Sequence, residues 1–322
     1  MATRTTENAE RRGTGKYEEL LAHCKDMKAV ATAVAHPCDD ASLGAVVEAA
    51  RAGIITPILV GPADKIRRTA KESELDLAPY EIVDVPHSHA AAAGAVELVR
   101  LGRAELLMKG SLHTDELMSE VVKRDTGLRT ARRISHVFVM DVPTYHKVFA
   151  ITDAAINIFP SLEDKVDILQ NAIDFFVALG RKRPKVAILS AVETINPKIP
   201  STIEAAALCK MAERGQIRDA ILDGPLAFDN AISTEAAQIK RIESSVAGHP
   251  DIMLVPDLEA GNMLVKTLTF LSRADGAAVV LGARVPIILT SRADNKRTRL
   301  ASCAVAALYA SARAARAGLG ES

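Results

Sequence analysis

Short aliphatic runs alternate along this chain with longer segments whose apolar positions recur every three or four residues. The runs at 29–35, 57–60, 81–85, 105–108 and 134–140 are rich in Ala, Val, Ile and Leu, the pattern of strands buried on both faces. Between them, 40–52, 63–73, 88–101 and 114–124 have the amphipathic spacing and length of crossover helices. A second series follows, with strands predicted at 185–190, 220–222, 252–255, 277–281 and 286–289. Its helices are predicted at 162–179, 201–214, 230–244, 259–271 and 294–315. This repetition predicts an α/β fold with a mainly parallel sheet and flanking helices. The stretch 141–155, with Pro143 and a β-rich run at 145–151, marks the passage between two units. The expected organisation is a disordered polar tail at 1–16, a first α/β domain at 17–147 completed by 297–322, and a second at 148–296.

Composition narrows the class. Trp is absent and there are only 4 Tyr and 7 Phe, so the core must be aliphatic, which suits close packing of helices on a sheet. Lys plus Arg and Asp plus Glu both total 40, a formal net charge of zero. That balance argues against nucleic acid or an anionic membrane as a partner held by bulk charge. No apolar run approaches the roughly 20 residues that span a bilayer, and residues 1–16 lack the apolar segment of a secretory signal. The four cysteines, Cys24, Cys38, Cys209 and Cys303, are scattered without redox or metal spacing. A reducing cytoplasm is the expected setting.

In doubly wound α/β folds ligands sit beyond the carboxyl ends of strands, so the residues following each run carry the candidate chemistry. They are Lys109-Gly110-Ser111, Glu193 with Asn196, Asp223-Gly224-Pro225, Asn262 and Ser291-Arg292-Ala293-Asp294. Ser201, Asn230 and Asp294 also read as helix N-caps, and Gly224-Pro225 as a turn. Lys109, Glu193, Asn262 and Arg292 at corresponding places of successive units go beyond capping. There is no phosphate-binding loop, dinucleotide fingerprint, nucleophile elbow or zinc helix. His87 and His89 flank Ser88, which reads as the cap of the following helix. Cys38 reads as a small buried hydrophobe, and no metal site is expected.

The ordered stretches Met108–Asp115, Thr152–Asn157, Glu193–Thr202, Asp223–Ala231, Pro256–Leu264 and Ser291–Asp294 together resemble the phosphate acetyl/butyryltransferase family, over nearly the whole chain. The segment 114–121 carries no arginine, and the position of the acetyltransferase branch's aspartate, seven after Ser291, is Thr298. Both features make the chain look closer to the butyryltransferase-like branch. The resemblance implies a two-domain fold like that of isocitrate and isopropylmalate dehydrogenases, a site in the cleft between domains, and a homodimer. It implies reversible transfer of an acetyl or butyryl group between coenzyme A and phosphate, with coenzyme A a substrate and no bound cofactor.

In that reading Ser291, Arg292 and Asp294 are catalytic. Lys109, Gly110, Asn157, Glu193, Asn196, Asp223, Gly224, Pro225 and Asn262 bind substrate. Arg292 and Ser291 suit a phosphate seat, an asparagine suits the acyl oxygen, and Asp294, with Glu193 and Asp223 as alternatives, suits the thiol proton. Two alternatives stand beside it. One is a transferase acting on a carrier-protein thioester, docked by Arg129, Arg132 and Arg133; the other is a non-catalytic coenzyme A- or metabolite-binding relative.

Overall fold

The structure is a computed structural model and describes residues 16–290 and 294–318. It opens with a helix the periodicity did not announce, α1 (Lys16–Cys24). Tyr17, Leu20, Leu21 and Cys24 recur on one face and meet the core. Lys16, assigned above to a disordered tail, starts this helix instead, because its ammonium lies 2.7 Å from Asp141.

The first series is β1 (Val30–Ala35), α2 (Asp40–Arg51), β2 (Ile55–Gly61), α3 (Ala63–Glu72), β3 (Glu81–Asp84), α4 (Ser88–Arg100), β4 (Leu106–Lys109) and α5 (Thr114–Val121). Two strands, β5 (Ser135–Asp141) and β6 (Phe149–Thr152), carry the chain onward. The second series is α6 (Leu162–Ala178), β7 (Lys185–Leu189), α7 (Pro200–Glu213), β8 (Ile221–Leu226), α8 (Phe228–Ile232), α9 (Thr234–Ile239), β9 (Ile252–Leu254) and α10 (Leu258–Phe270). Then come β10 (Asp275–Leu281), the two-residue β11 (Ile287–Ile288) and α11 (Lys296–Gly318).

Among the described residues the eleven strands form one sheet in the order β3-β2-β1-β4-β11-β10-β5-β6-β9-β7-β8. The flanking groups β3 to β11 and β6 to β8 are parallel within themselves. Between them β11, β10, β5 and β6 pair antiparallel in succession, so the two parallel groups run in opposite directions. The last strand in the chain, β11, is inserted at the centre of the sheet, where Ile287 pairs with Leu107 of β4 and Val280 of β10. The Ala-rich α11 lies across this junction against β10, α1, α2 and α6, with Cys303, Ala304, Ala306 and Ala307 buried. Small side chains let that helix approach closely, which is the use made of the aliphatic composition.

Two expectations change. The helix predicted over 230–244 is broken into α8 and α9 at Ser233, whose extended backbone and Oγ, accepting from Ala236 N at 3.2 Å, start a new helix. The strand predicted at 220–222 runs on to Leu226, so Asp223, Gly224 and Pro225 lie in β8 and not in a loop beyond it. As an edge strand β8 tolerates a proline without N–H. Gly224 is required by close approach to β7, since a Cβ there would meet Ile188 Cβ at 2.8 Å.

Candidate active site

Adjacent parallel strands β1, β4 and β11 deliver their carboxyl ends side by side. The chain leaves β4 at Lys109, buried at 6% exposure, whose Nζ donates to the carbonyls of Gly110 (3.3 Å) and Leu112 (3.1 Å). The turn is stitched onto the end of β1. Gly110 N donates to Ala35 O and Ser111 N to His36 O, both at 2.9 Å. Ser111 Oγ donates to His36 O at 2.8 Å and lies 3.1 Å from His36 Nδ1. Only glycine fits at 110, because a Cβ would sit 2.5 Å from the Ala35 and His36 carbonyl oxygens. His36 holds a positive φ of 54° and is kept below the ordinary imidazole range by burial and then by Lys65. Its signal in the sequence was its place directly after the first strand.

Past β11 the chain reaches buried Thr290. Ser291 and Arg292, assigned catalytic roles above, lie outside the described residues. Asp294 is half-buried just before α11, and its carbonyl accepts from Arg299 Nε at 3.1 Å. The N-cap there is Asn295, whose Oδ1 accepts from Thr298 N at 2.8 Å, so capping is not the role of Asp294.

The second group of residues follows β6. Asp153, buried, accepts from Ala155 N (2.9 Å), Ile156 N (3.1 Å) and Asn157 Nδ2 (2.6 Å). Burial pushes its carboxyl up in spite of these donors. Asn157 Nδ2 also donates to Ile134 O (2.9 Å), while its Oδ1 accepts from Arg133 Nε (2.8 Å). Asn157 thus builds this loop, and its amide is occupied within the protein. Asn262 on α10 donates to Ala154 O at 3.3 Å, which brings Asn157 and Asn262 onto one loop. Ile156 in that loop packs into the apolar cluster that also holds Leu112 and Leu289. The Lys109 turn and the Asp153–Asn157 loop therefore share one apolar floor.

The remaining predicted residues lie toward the far edge of the sheet. Glu193 pairs with Lys240 at 3.0 Å and accepts from Asn230 Nδ2 at 3.3 Å. The Lys240 hydrogen bond holds its carboxyl below the usual range. Asn196 Oδ1 accepts from Lys198 N at 3.0 Å, closing a local turn. Asp223 Oδ1 accepts from Gly224 N at 2.8 Å. From β4 to β8 is seven strand steps, about 33 Å along the sheet. One chain does not bring Asp223, Gly224 or Pro225 to the Lys109 turn.

Two of the three basic residues are paired locally, Arg132 to Asp174 (3.1 Å) and Arg133 to Asp164 (3.2 Å). A free basic docking patch is therefore not formed by these two. His87 Nδ1, and not Ser88, caps α4 by accepting from Ala90 N. Burial raises the Cys38 thiol to about 11, which suits an inert core thiol. Among the buried polar side chains that sequence reasoning missed are His136, Arg299 and Lys165, which pairs with Glu204 beside the ends of β7 and β9. None belongs to a recognisable motif; only the fold buries them. Among the described residues no group of three or more His, Cys, Asp or Glu is placed to hold a metal, and no helix is long and apolar enough to cross a membrane.

Comparison with known proteins identifies the family. Residues 88–307 match the model described as phosphate acetyl/butaryl transferase. A phosphate acetyltransferase of Rhizobium meliloti is 69% identical over 93% of this chain and 95% of its own length. A phosphate butyryltransferase of Clostridium acetobutylicum is 44% identical over 89% and 94%. A crystal structure of a branched-chain phosphotransacylase from Enterococcus faecalis V583 superposes with a TM-score of 0.77 at 30% identity, covering 87% of this chain and 99% of that one. With two thirds of the chain inside the family model and close relatives along nearly all of it, this protein belongs to the phosphate acetyl/butyryltransferase family.

Proposed function

We propose that this chain catalyses acyl-CoA + phosphate ⇌ acyl phosphate + CoA, with acetyl as the favoured acyl group. Identity of 69% to a phosphate acetyltransferase over nearly the full chain carries this reading. The site lies in the cleft floored by the apolar cluster under the Lys109 turn and the Asp153–Asn157 loop. A phosphate oxygen attacks the thioester carbonyl carbon directly, in a complex holding both substrates. The C–S bond breaks and the sulfur leaves as thiolate, to be protonated. Arg292 offers phosphate a bidentate fork and Ser291 a hydroxyl. The Lys109 charge, buried at the end of β4, adds a positive field at the same rim, and Asp294 handles the thiol proton. Asn262 sits beside the loop where the acyl oxygen is stabilised. No metal and no bound cofactor enters the reaction.

The partners are small molecules and a second copy of the chain, in the cytoplasm, without nucleic acid. The homodimer is supported by the apolar side chains that α10 and its neighbouring loop leave exposed: Met263, Phe270, Ile158 and Phe159.

The test is thiol release from acetyl-, propionyl- or butyryl-CoA by purified protein, with and without phosphate. Phosphate-dependent release, fastest with acetyl-CoA and lost in folded Arg292→Ala, is expected. Release independent of phosphate, or none with any chain length, refutes the proposal.

A further inference from the structure

The helices that follow the adjacent parallel strands β1 and β4 leave on opposite faces of the sheet. Val34 of β1 belongs to one apolar cluster and its neighbours Ala33 and Ala35 to the other; α2 packs on the first face through Leu43 and Val46, α5 on the second through Leu117. A crevice opens at such a switch point, beyond the carboxyl ends of the two strands. His36 stands there, directly after β1, and has no part in the chemistry assigned so far. It is 9% exposed, and its φ of 54° lies in the left-handed region that histidine rarely adopts. Its carbonyl accepts from Ser111 N at 2.9 Å and from Ser111 Oγ at 2.8 Å.

These bonds decide which ring nitrogen carries the proton. The Ser111 hydroxyl hydrogen goes to the His36 carbonyl, so Ser111 Oγ, 3.1 Å from Nδ1, accepts there and Nδ1 is the N–H. The other nitrogen, Nε2, then holds a lone pair. It makes no hydrogen bond among the described residues and is not among the atoms buried without a partner. Burial first, and then Lys65 of α3, favour the neutral ring against the opposite pull of Glu116 on α5 and Asp39 in its own loop. The site thus holds an imidazole in one tautomer with its basic nitrogen available.

Acyl transfer to phosphate has a use for that nitrogen. Phosphate enters as a dianion bearing one hydroxyl, and the hydroxyl proton must leave as the new O–C bond forms. In reverse, phosphate expelled without a proton would be the trianion, a far stronger base than imidazole and a poor leaving group.

We propose that His36 Nε2 is the general base that takes the phosphate hydroxyl proton as a phosphate oxygen attacks the thioester carbonyl carbon, and that returns it in the reverse reaction. This rests on the transferase reading with phosphate beside the Lys109 turn. The O–C bond forms, the C–S bond breaks with its electron pair going to sulfur, and the thiolate is protonated through Asp294. Water carries the proton from His36 to that group, so one proton leaves phosphate and one reaches sulfur.

Asparagine separates this role from mere stapling of the turn. Its Nδ2 donor replaces Nδ1–H toward Ser111 Oγ and it tolerates the left-handed backbone, but nothing stands where Nε2 was. The experiment measures kcat, both KM values and melting of wild type, His36→Asn and His36→Gln with acetyl-CoA and phosphate, from about pH 5 to 8. His36→Asn is expected to melt within a few degrees of wild type, keep both KM values within about threefold and lose about 100-fold in kcat. A fall of kcat below pH 6.5, the ordinary imidazole value, should be present in wild type and absent from His36→Asn. The ionisation of phosphate is common to both and cancels in their ratio. A folded His36→Asn with wild-type kcat, or one that keeps the acid limb, overturns the proposal. So does a lower melting temperature with both KM values raised and kcat kept, the signature of a staple alone. Should His36→Asn not fold, His36→Gln, whose amide takes up no proton, decides by the same criterion. If wild type releases no thiol in response to phosphate, the transferase reading fails and the base assignment falls with it.

Discussion

Replacing Gly110 by alanine tests whether the Lys109 turn must sit where it does. The added Cβ would lie 2.5 Å from both the Ala35 and His36 carbonyl oxygens and 2.6 Å from the His36 carbonyl carbon. All three obstacles are backbone at the end of a central strand, so no side chain can swing aside. Reaching ordinary contact near 3.4 Å requires about 0.9 Å of movement. The turn must give, which stretches the Gly110 N to Ala35 O and Ser111 N to His36 O bonds. Losing or weakening two such bonds and straining the turn should cost about 2–4 kcal/mol of stability. A displacement near 1 Å at a substrate site typically costs on the order of 100-fold in rate. Gly110→Ala should therefore fold, melt several degrees lower, and lose about two orders of magnitude in phosphate-dependent thiol release. Turnover within a few-fold of wild type would show that the Lys109 turn does not position a reacting group. An unchanged melting temperature would refute the steric reasoning itself.

Acid sensitivity and assembly give two further expectations. His136 has its folded pKa pulled by burial from 6.5 to about 3, so the fold keeps it neutral while the unfolded chain takes up a proton. Stability is then fully present above pH 6.5 and is lost as pH falls toward 3, by about 2 kcal/mol between pH 6.5 and 5. His136→Leu should flatten that limb of a melting-temperature profile. The opposite contribution of Asp153, raised by burial, is common to both proteins and cancels in the difference. Identical acid slopes would contradict the assignment. For assembly, light scattering should give twice the 34.3 kDa chain mass, and Met263→Asp with Phe270→Asp should halve it. A monomeric wild type would remove α10 as an interface.

The alternation of aliphatic runs was enough to locate each strand within a few residues, because strands buried on both faces leave a dense apolar signature. It gave no warning that β5 and β10 reverse the sheet, since a buried antiparallel strand reads like a parallel one. The Lys109-Gly110-Ser111 turn was legible because glycine between two polar residues after a strand points to close backbone approach. Asp223-Gly224-Pro225 misled for the opposite reason: the same glycine-proline signal serves an edge strand when a neighbour such as Ile188 crowds the backbone. Asn157 and Asn262 stood out in the sequence as candidates, but their attachment to the Asp153 loop depends on contacts between residues far apart in the chain. His136 and Arg299 did not stand out in the sequence because what sets them apart is burial, and burial is a property of the assembled sheet.

The insertion of β11 between β4 and β10 sets the order in which this protein can be completed during synthesis. Leu107 must wait about 180 residues for Ile287 to arrive, roughly 10–40 s at ordinary elongation rates. Throughout that interval the nascent first series presents β4, with Leu106, Leu107 and Met108 all destined for full burial, as an open hydrogen-bonding edge. Such an edge recruits other strands unless it is covered. A chain cut short before β11 does not lose a dispensable end but is left with a gap in the middle of its sheet. Yield in the cell should accordingly depend on how well the emerging edge is shielded by chaperones before its partner strand leaves the ribosome.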